Sequence, residues 1–315
     1  MTIINLQDIL TAVKDIDVVA AMAEGFIQYS NGHSVVPPVG ELLFDKPKGD
    51  THIKYGYIKG QDLYCIKIAS GFYENPKLGI SSSQGMMLLF SQKTGEPVAI
   101  LLDEGKLTDI RTAAAGALAA KYFAPEKIKA IGIVGTGIQA RLQLEYLKEQ
   151  TSCRAVWLWG RNKEKAKQFK DDIGLAFDVN IASSPAELAR YSNLIVTTTP
   201  SNEPLLFADN IIPGTHITAV GSDTSGKQEL ESRLLSKADI IIADSISQSK
   251  SRGEVYRAVN DGVIQPQKIT ELGTAIQNKS LQRTNESQIS IVDLTGVAVQ
   301  DIMIATAVYE KHLGL

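Results

Sequence analysis

The spacing of hydrophobic residues changes along the chain, and each change predicts a different kind of element. Between residues 6 and 30, apolar side chains recur every three or four positions, which predicts one amphipathic helix that ends at Asn31 and Gly32. Between residues 35 and 102, the apolar runs are short, partly alternating and separated by turn-forming residues. This pattern is typical of hairpins, so we expect a mostly antiparallel sheet. Its predicted strands are 52–58, 63–69, 86–92 and 97–102.

A third pattern begins after a predicted helix over 107–123. Short apolar runs then alternate with helical segments, which predicts parallel strands joined by helical crossovers. The predicted strands are 128–134, 155–159, 179–182, 194–198, 216–220, 239–243 and 289–292, and the predicted helices are 137–149, 162–173, 185–190, 228–236 and 297–309. The fold class is therefore α/β, with a Rossmann-type doubly wound parallel sheet and a smaller α+β domain whose sheet is mostly antiparallel.

The length and the change of pattern predict two domains. The chain has 315 residues, and about 150 residues is a typical domain size. We place the first domain at 1–122 and the second at 123–295. The C-terminal helix, 296–315, is expected to return to the first domain.

Composition excludes several classes of protein. With 32 basic and 35 acidic residues the formal net charge is −3, which gives no reason to expect a nucleic-acid partner or an anionic membrane surface. No apolar run approaches the roughly 18 residues of a membrane-spanning helix. Two cysteines are too few for a disulfide framework, and the four histidines lack metal-ligand spacing, so we predict no metal. We expect a reduced, cytoplasmic protein.

A glycine-rich turn follows the first predicted parallel strand and opens a helix. It matches the dinucleotide fingerprint G-x-G-x-x-G/A, with alanine in the third position. The first glycine permits a tight turn, the second lets the backbone approach a pyrophosphate, and the helix N-terminus offers free N–H groups. A turn of this kind without a ligand is the alternative. The predicted cofactor-binding residues here are Gly135, Thr136, Gly137, Ile138, Gln139 and Ala140.

The next strand does not end in the carboxylate that binds the ribose of NAD. It continues instead into Gly160, Arg161 and Asn162, with Lys165 close behind. Arginine and lysine suit the 2′-phosphate of NADP, so we predict that NADP(H) is preferred and that NAD(H) is possible. The alternative is that these cations belong to a solvated helix start.

Two cations lie in apolar surroundings. Lys67 is in the predicted strand 63–69, and Arg111 is in a helix that is otherwise nearly uncharged. A buried cation needs an anionic partner. That partner is either a substrate or an internal carboxylate such as Asp109 or Asp103, and the residues alone leave both open.

Several segments, in order, resemble one family. They are 107–120, the glycine turn, 197–200, 220–223 with 226–230, and 296–301. The chain is identified as similar to the ornithine cyclodeaminase/mu-crystallin family, closest in pattern to its Δ1-pyrroline-2-carboxylate (ketimine) reductases. The resemblance implies that the first domain binds substrate and forms a homodimer.

The resemblance also implies roles for individual residues. Lys67 and Arg111 hold the substrate carboxylate, and Asp223 faces the substrate nitrogen, so these three are the expected catalytic residues. Further expected cofactor contacts lie at the ends of later strands, at Thr197, Thr199, Val220 and Gly221.

The chain departs from the cyclodeaminase pattern in three places. An arginine of those enzymes falls near Gly40, where Lys54 is a candidate substitute for binding the substrate. The carboxylate that holds NAD tightly is missing, and the chain stops at Leu315 without their C-terminal extension. We therefore expect an NAD(P)H-dependent imine reductase. The alternatives are ornithine cyclodeaminase, alanine dehydrogenase and a ligand-binding protein of the crystallin type without turnover.

Overall fold

Two separate β-sheets organise the chain, one mostly antiparallel and one parallel. The computed structural model describes residues 1–72 and 74–315. The strands are β1 Thr2–Ile4, β2 Ser34–Val35, β3 Gly40–Phe44, β4 Gly49–Ile58, β5 Leu63–Phe72, β6 Ser83–Ser91, β7 Pro97–Leu101, β8 Ile131–Val134, β9 Ala155–Trp159, β10 Asp178–Ile181, β11 Leu194–Thr197, β12 His216–Ala219, β13 Ile240–Ala243, β14 Ile269–Glu271 and β15 Ser290–Asp293. The helices are α1 Leu6–Val13, α2 Val18–Ser30, α3 Lys106–Phe123, α4 Ile138–Leu147, α5 Lys163–Ile173, α6 Pro185–Tyr191, α7 Ser232–Lys237, α8 Gly253–Asn260, α9 Leu272–Gln277 and α10 Ala298–Leu313.

The described residues divide into two units. The first comprises residues 1–111 and 297–315, and the second comprises residues 112–296. The division lies inside α3, whereas the sequence pattern placed it after residue 122. A continuous helix carries no change of hydrophobic spacing, so nothing in the pattern marks a boundary within it.

The sheet of the first unit has the strand order β1-β7-β6-β5-β4-β2, with β3 also paired to β4. All pairs are antiparallel except β1 with β7, which confirms the predicted hairpin character. Side chains alternate across the sheet, and one face is buried because α10 packs on β4, β5 and β6 and also against α2. At Gly25 of α2 an added Cβ would lie 2.9 Å from Met303 Cγ, so the two helices approach closely.

The predicted helix over residues 6–30 is in fact two helices. Asn5 accepts a hydrogen bond from the backbone of Asp8 and caps α1. Asp17 accepts one from the backbone of Ala20 and caps α2. Asn and Asp satisfy the free N–H groups of a helix start, so a second cap within an apolar-periodic segment starts a second helix.

The second unit has a parallel eight-stranded sheet in the order β10-β9-β8-β11-β12-β15-β13-β14. Its central strands are buried along their whole length, which explains their unbroken apolar runs. The chain runs outward from β8 through β9 to β10, then returns to β11 on the other side. Ligands bind at such a switch point, beyond the carboxyl ends of the strands. The predicted doubly wound fold is therefore confirmed, although β14, α8 and α9 were not predicted.

The length and hydropathy of the helices in the described residues can be compared with those of a membrane-spanning helix. None of them is both long and apolar enough to cross a bilayer.

Candidate functional site

The glycine turn lies at the switch point of the parallel sheet. Gly135 has φ +129°, a backbone conformation that favours glycine, and a Cβ there would lie 2.3 Å from Thr198 Oγ1. The backbone conformation and the lack of space therefore both require glycine at this position. Gly137 has an ordinary φ of −84° and is the N-cap of α4. A Cβ built on Gly137 would have no atom of the described residues within 4 Å. The open space lies directly before the first N–H groups of the helix, where a phosphate binds favourably.

A cavity of about 360 Å³ extends from this turn along the ends of β8, β9 and β11. Seven of the predicted cofactor-binding residues line it: Gly135, Thr136, Gly137, Arg161, Asn162, Lys165 and Thr199. Of the others, Ile138, Gln139 and Ala140 form the first turn of α4, Thr197 ends β11, and Val220 and Gly221 follow β12. The residues present fit a nicotinamide dinucleotide, because the cavity joins a phosphate cradle to a polar rim.

The rim at the end of β9 is basic, as the sequence predicted. Arg161 is exposed and lines the cavity. Asn162 has a structural role as well, because its side chain accepts a hydrogen bond of 3.0 Å from the backbone of Lys165 and caps α5.

In the first unit, Lys67 and Arg111 meet at one carboxylate. Lys67 Nζ lies 3.5 Å from Asp301 Oδ2, and Arg111 Nε lies 3.2 Å from Asp301 Oδ1. All three side chains are nearly inaccessible. Asp103, one of the partners considered from the sequence, instead accepts a hydrogen bond of 2.9 Å from the backbone of Leu107 at the start of α3.

Gln300 completes this cluster. Its Oε1 accepts a hydrogen bond of 3.0 Å from Arg111 Nη1, and its Nε2 donates one of 3.2 Å to the backbone oxygen of Arg111. Arg111 is therefore held from both ends by α10. Arg111 Nε and both oxygens of Asp301 have no hydrogen-bond partner among residues 1–72 and 74–315, so the contacts with Asp301 are charge contacts without hydrogen-bond alignment.

Lys67, Arg111 and Asp301 together comprise two cations and one carboxylate, and the buried carboxylate of Asp103 also interacts electrostatically with Lys67. Burial is the main cause that lowers the pKa of Lys67, and Arg111 lowers it further while Asp301 opposes both. Two cations share one carboxylate, and a lysine and a guanidinium together have more N–H donors than that carboxylate can accept. The arrangement leaves capacity for a second anion.

Lys54 belongs to the same face of the sheet. It is paired with Lys67 in the register of β4 and β5, and it is buried. Directly opposed residues of an antiparallel pair point to the same side, so the structure brings Lys54, Lys67 and Arg111 into one buried region of the first unit.

Asp223 lies in the second unit, in the loop after β12. Its Oδ1 is 2.6 Å from Lys227 Nζ, and its backbone oxygen accepts a hydrogen bond of 3.4 Å from Arg252, the residue before α8. Sequence reasoning missed two carboxylates that organise these regions, Asp301 and Glu229. Both lie in segments that carried the family resemblance, but their partners are distant in sequence and no local signal names them.

Among the described residues, no three His, Cys, Asp or Glu side chains are grouped so as to hold a metal ion.

The model of the ornithine cyclodeaminase/mu-crystallin family matches residues 3–314. The chain belongs to this family. The resemblance seen in the sequence is thereby confirmed, and it extends over nearly the whole chain.

Individual members of the family are similar along their full length. An uncharacterized cyclodeaminase of Sinorhizobium fredii is 38% identical over 94% of this chain and 91% of its own. The structure of Thermococcus litoralis Δ1-pyrroline-2-carboxylate reductase with NADH and L-proline is 28% identical, with a TM-score of 0.92, and the match covers 100% of this chain and 98% of that one. An archaeal alanine dehydrogenase dimer with bound NAD is 31% identical, with a TM-score of 0.89, and the match covers 100% and 96%.

We predict that Asp301→Asn destabilises the protein by about 3–5 kcal/mol, because it leaves two buried cations without their carboxylate. Thermal unfolding measures this change. A matched control is Asp62→Asn, since Asp62 pairs with Lys93 at 2.6 Å on the exposed surface, where water screens the pair and its loss should cost far less. Equal losses in the two variants would contradict the assigned role of Asp301.

Proposed function

We propose that this chain is an NAD(P)H-dependent reductase of small cyclic ketimine carboxylates. The proposed reaction converts Δ1-pyrroline-2-carboxylate to L-proline, and Δ1-piperideine-2-carboxylate, the six-membered homologue, would give L-pipecolate. The observation that carries the proposal is the buried pair Lys67 and Arg111, which share one carboxylate and can accept another. The Thermococcus litoralis relative, whose structure holds NADH and L-proline, supports it.

The first unit's residues would bind and orient the substrate. Arg111 offers two parallel N–H donors to the substrate carboxylate, Lys67 adds a point charge, and Lys54 supplies a further cation. Fixing the carboxylate fixes which ring carbon can react. Asp223 would face the ring nitrogen and stabilise the positive charge of the protonated imine, which makes the adjacent carbon electrophilic. The nicotinamide cofactor, when bound, supplies the hydride.

Similarities to two other family members support alternative activities. The similarity to an archaeal alanine dehydrogenase favours reductive amination of a 2-oxo acid as the second candidate. The similarity to an uncharacterized cyclodeaminase of Sinorhizobium fredii supports a cyclodeaminase as a further candidate, although the arginine of the cyclodeaminase pattern falls near Gly40. The candidate reaction of this kind is ring closure of ornithine with release of ammonia. A ligand-binding protein of the crystallin type would bind the same molecules without turnover.

The decisive experiment measures cofactor oxidation with pyrroline- and piperideine-carboxylates, with pyruvate plus ammonia, and with ornithine. We expect consumption of reduced cofactor with the cyclic imines. Ammonia released from ornithine without net change of cofactor would identify a lyase, and binding without turnover of any substrate would identify the crystallin type.

We predict that the wild type reduces 1-pyrroline, which lacks the carboxylate, far less efficiently than the carboxylate. In Arg111→Lys the gap should narrow by about tenfold, because the lysine keeps the charge but loses the two-donor fork. Comparing kcat/KM for both substrates in both proteins measures the gap. Equal reduction of the two substrates by the wild type would remove the proposed carboxylate clamp.

We also propose a preference for NADP(H), which rests on Arg161, Asn162 and Lys165 at the rim of the cavity. The two similar structures hold NADH and NAD, so the preference is a property proposed for this chain. Arg161→Asp should weaken NADPH binding by about 30- to 1000-fold, since it removes a contact with the 2′-phosphate and adds repulsion. NADH affinity, measured by titration in parallel, is the internal control. An unchanged ratio of the two affinities would leave Arg161 as a surface residue.

The first unit is further proposed to form a homodimer through the outer face of its sheet. Tyr55, Tyr57 and Met86 on that face are 38%, 38% and 37% exposed, and half-buried apolar residues such as Ile66 and Leu88 lie beside them. A continuous apolar face of this kind is typical of an interface. The archaeal alanine dehydrogenase, a dimer in its structure, supports a second copy as the partner.

We predict that Tyr55→Asp shifts the protein toward a monomer, because a charge is costly at the centre of an apolar interface. Light scattering coupled to gel filtration gives the molar mass. Leu175→Asp, at a fully exposed position of the second unit, is the control and should leave the mass unchanged. A monomeric wild type would exclude the homodimer.

A further inference from the structure

Glu229 is a buried acid in the second unit, in the segment between Asp223 and α7. It has no accessible surface, and its carboxylate accepts four hydrogen bonds. Oε1 accepts from the backbone N–H of Thr199 at 2.5 Å and from Thr199 Oγ1 at 2.8 Å. Oε2 accepts from Thr197 Oγ1 and from the backbone N–H of Gly221, both at 2.8 Å. Every one of these partners is a donor.

These donors lie at the carboxyl ends of two adjacent strands. Thr197 ends β11, Thr199 lies two residues beyond it and lines the cavity, and Gly221 follows β12. A Cβ on Gly221 would lie 2.1 Å from the backbone oxygen of Thr199 and 2.6 Å from Glu229 Oε2. The strand ends therefore converge so tightly on this carboxylate that position 221 has no room for a side chain.

The backbone of Glu229 is fixed as firmly as its side chain. Its N–H donates to Glu254 Oε1 at 2.7 Å, and its carbonyl accepts from the N–H groups of Leu205 at 2.7 Å and Leu206 at 3.1 Å. Leu205 lines the cavity too. One residue thus connects α8, two strand ends and the loop that borders the cavity.

We infer that Glu229 is a positioning residue of the proposed dinucleotide site and that nucleotide binding depends on its ionised form. The inference rests on the proposed function, because it takes the cavity as the cofactor site. Protonating either oxygen adds an O–H to a carboxyl group already met by four donors, so at least one of the four hydrogen bonds must be lost or must reverse its direction at a threonine hydroxyl. The strand ends that converge on Glu229, and that border the cavity at Thr199, would then be held less firmly.

Burial makes the protonation of Glu229 accessible near neutral pH. Burial raises the pKa of Glu229 to about 7, against the effect of its four hydrogen bonds. The groups that face it are acidic: Glu254 on α8 and Asp293 at the end of β15, with Asp244 at the end of β13 beside Asp293. On its own segment, Lys227 is paired with Asp223. Nucleotide affinity should therefore fall as the pH is lowered through about 7.

The test compares Glu229→Gln with Glu254→Gln. Both residues are fully buried acids of the same region, but the carboxylate of Glu254 bonds only to the backbone of residues 229 and 230 in the contacts described. Dissociation constants for NADH are measured through the fluorescence of Trp159, which lines the cavity. NADH is the probe because it lacks a 2′-phosphate that titrates in the same range.

We expect Glu229→Gln to bind NADH about 10- to 100-fold more weakly at pH 8, and Glu254→Gln to change affinity less than about threefold. Wild-type affinity should fall between pH 8 and pH 6, and this fall should be absent in Glu229→Gln. If Glu229→Gln does not fold, Thr197→Val decides instead, since it deletes one donor and should weaken binding about three- to tenfold.

Three results would overturn the inference. In the first, Glu229→Gln, or Thr197→Val in its place, binds NADH within twofold of the wild type. In the second, the loss of affinity in both acid variants merely follows their loss of thermal stability, with the pH profile unchanged. In the third, the wild type binds neither NADH nor NADPH, which overturns the proposed function as well. The first two leave the proposed function intact.

Discussion

Charge buried away from water must be met by an opposite charge or by hydrogen bonds, and the two units of this protein meet that requirement in opposite ways. In the first unit two cations, Lys67 and Arg111, share the carboxylate of Asp301. In the second unit the buried acids Glu229 and Glu254 are satisfied by N–H and hydroxyl donors. Each ion would otherwise cost several kcal/mol to bury. Two cations on one carboxylate have N–H donors left for a further carboxylate, whereas acids held by backbone donors fix the conformation of the chain around them.

Features that depend on neighbouring residues could be predicted from the sequence, whereas contacts between distant residues could not. The strands β8, β11 and β12 are buried on both faces, and such strands consist of nearly unbroken apolar residues. An apolar run is visible in the local sequence, so these strands could be predicted. The fingerprint at Gly135 is local as well. Asp301 is different, because α10 brings it to Lys67 and Arg111 from the far end of the chain. A sequence shows that a buried cation needs a partner, but only the packing of α10 shows which acid it is.

The glycines illustrate the same limit at the scale of single atoms. Gly135 and Gly137 are both predicted by the fingerprint, yet they serve opposite needs: one avoids a clash with Thr198, and the other leaves space open. Gly221 belongs to no local turn signature. It is a glycine because the strand ends converge on Glu229, whose backbone N–H in turn donates to Glu254 on α8. The α8 helix was itself not predicted, so that chain of dependence could not be seen in advance.

The proposed reaction and the proposed role of Glu229 place opposite demands on pH. A cyclic imine is electrophilic when it is protonated, and that form grows as the pH falls. Glu229 keeps its four hydrogen bonds when it is ionised, and that form is lost as the pH falls through about 7. Catalytic efficiency should then pass through a maximum, with the acidic limb set by the protein and the alkaline limb set by the substrate. Because the alkaline limb belongs to the imine, a change of ring size should move it and leave the acidic limb in place. A substitution of Glu229 should change the acidic limb and leave the alkaline limb in place.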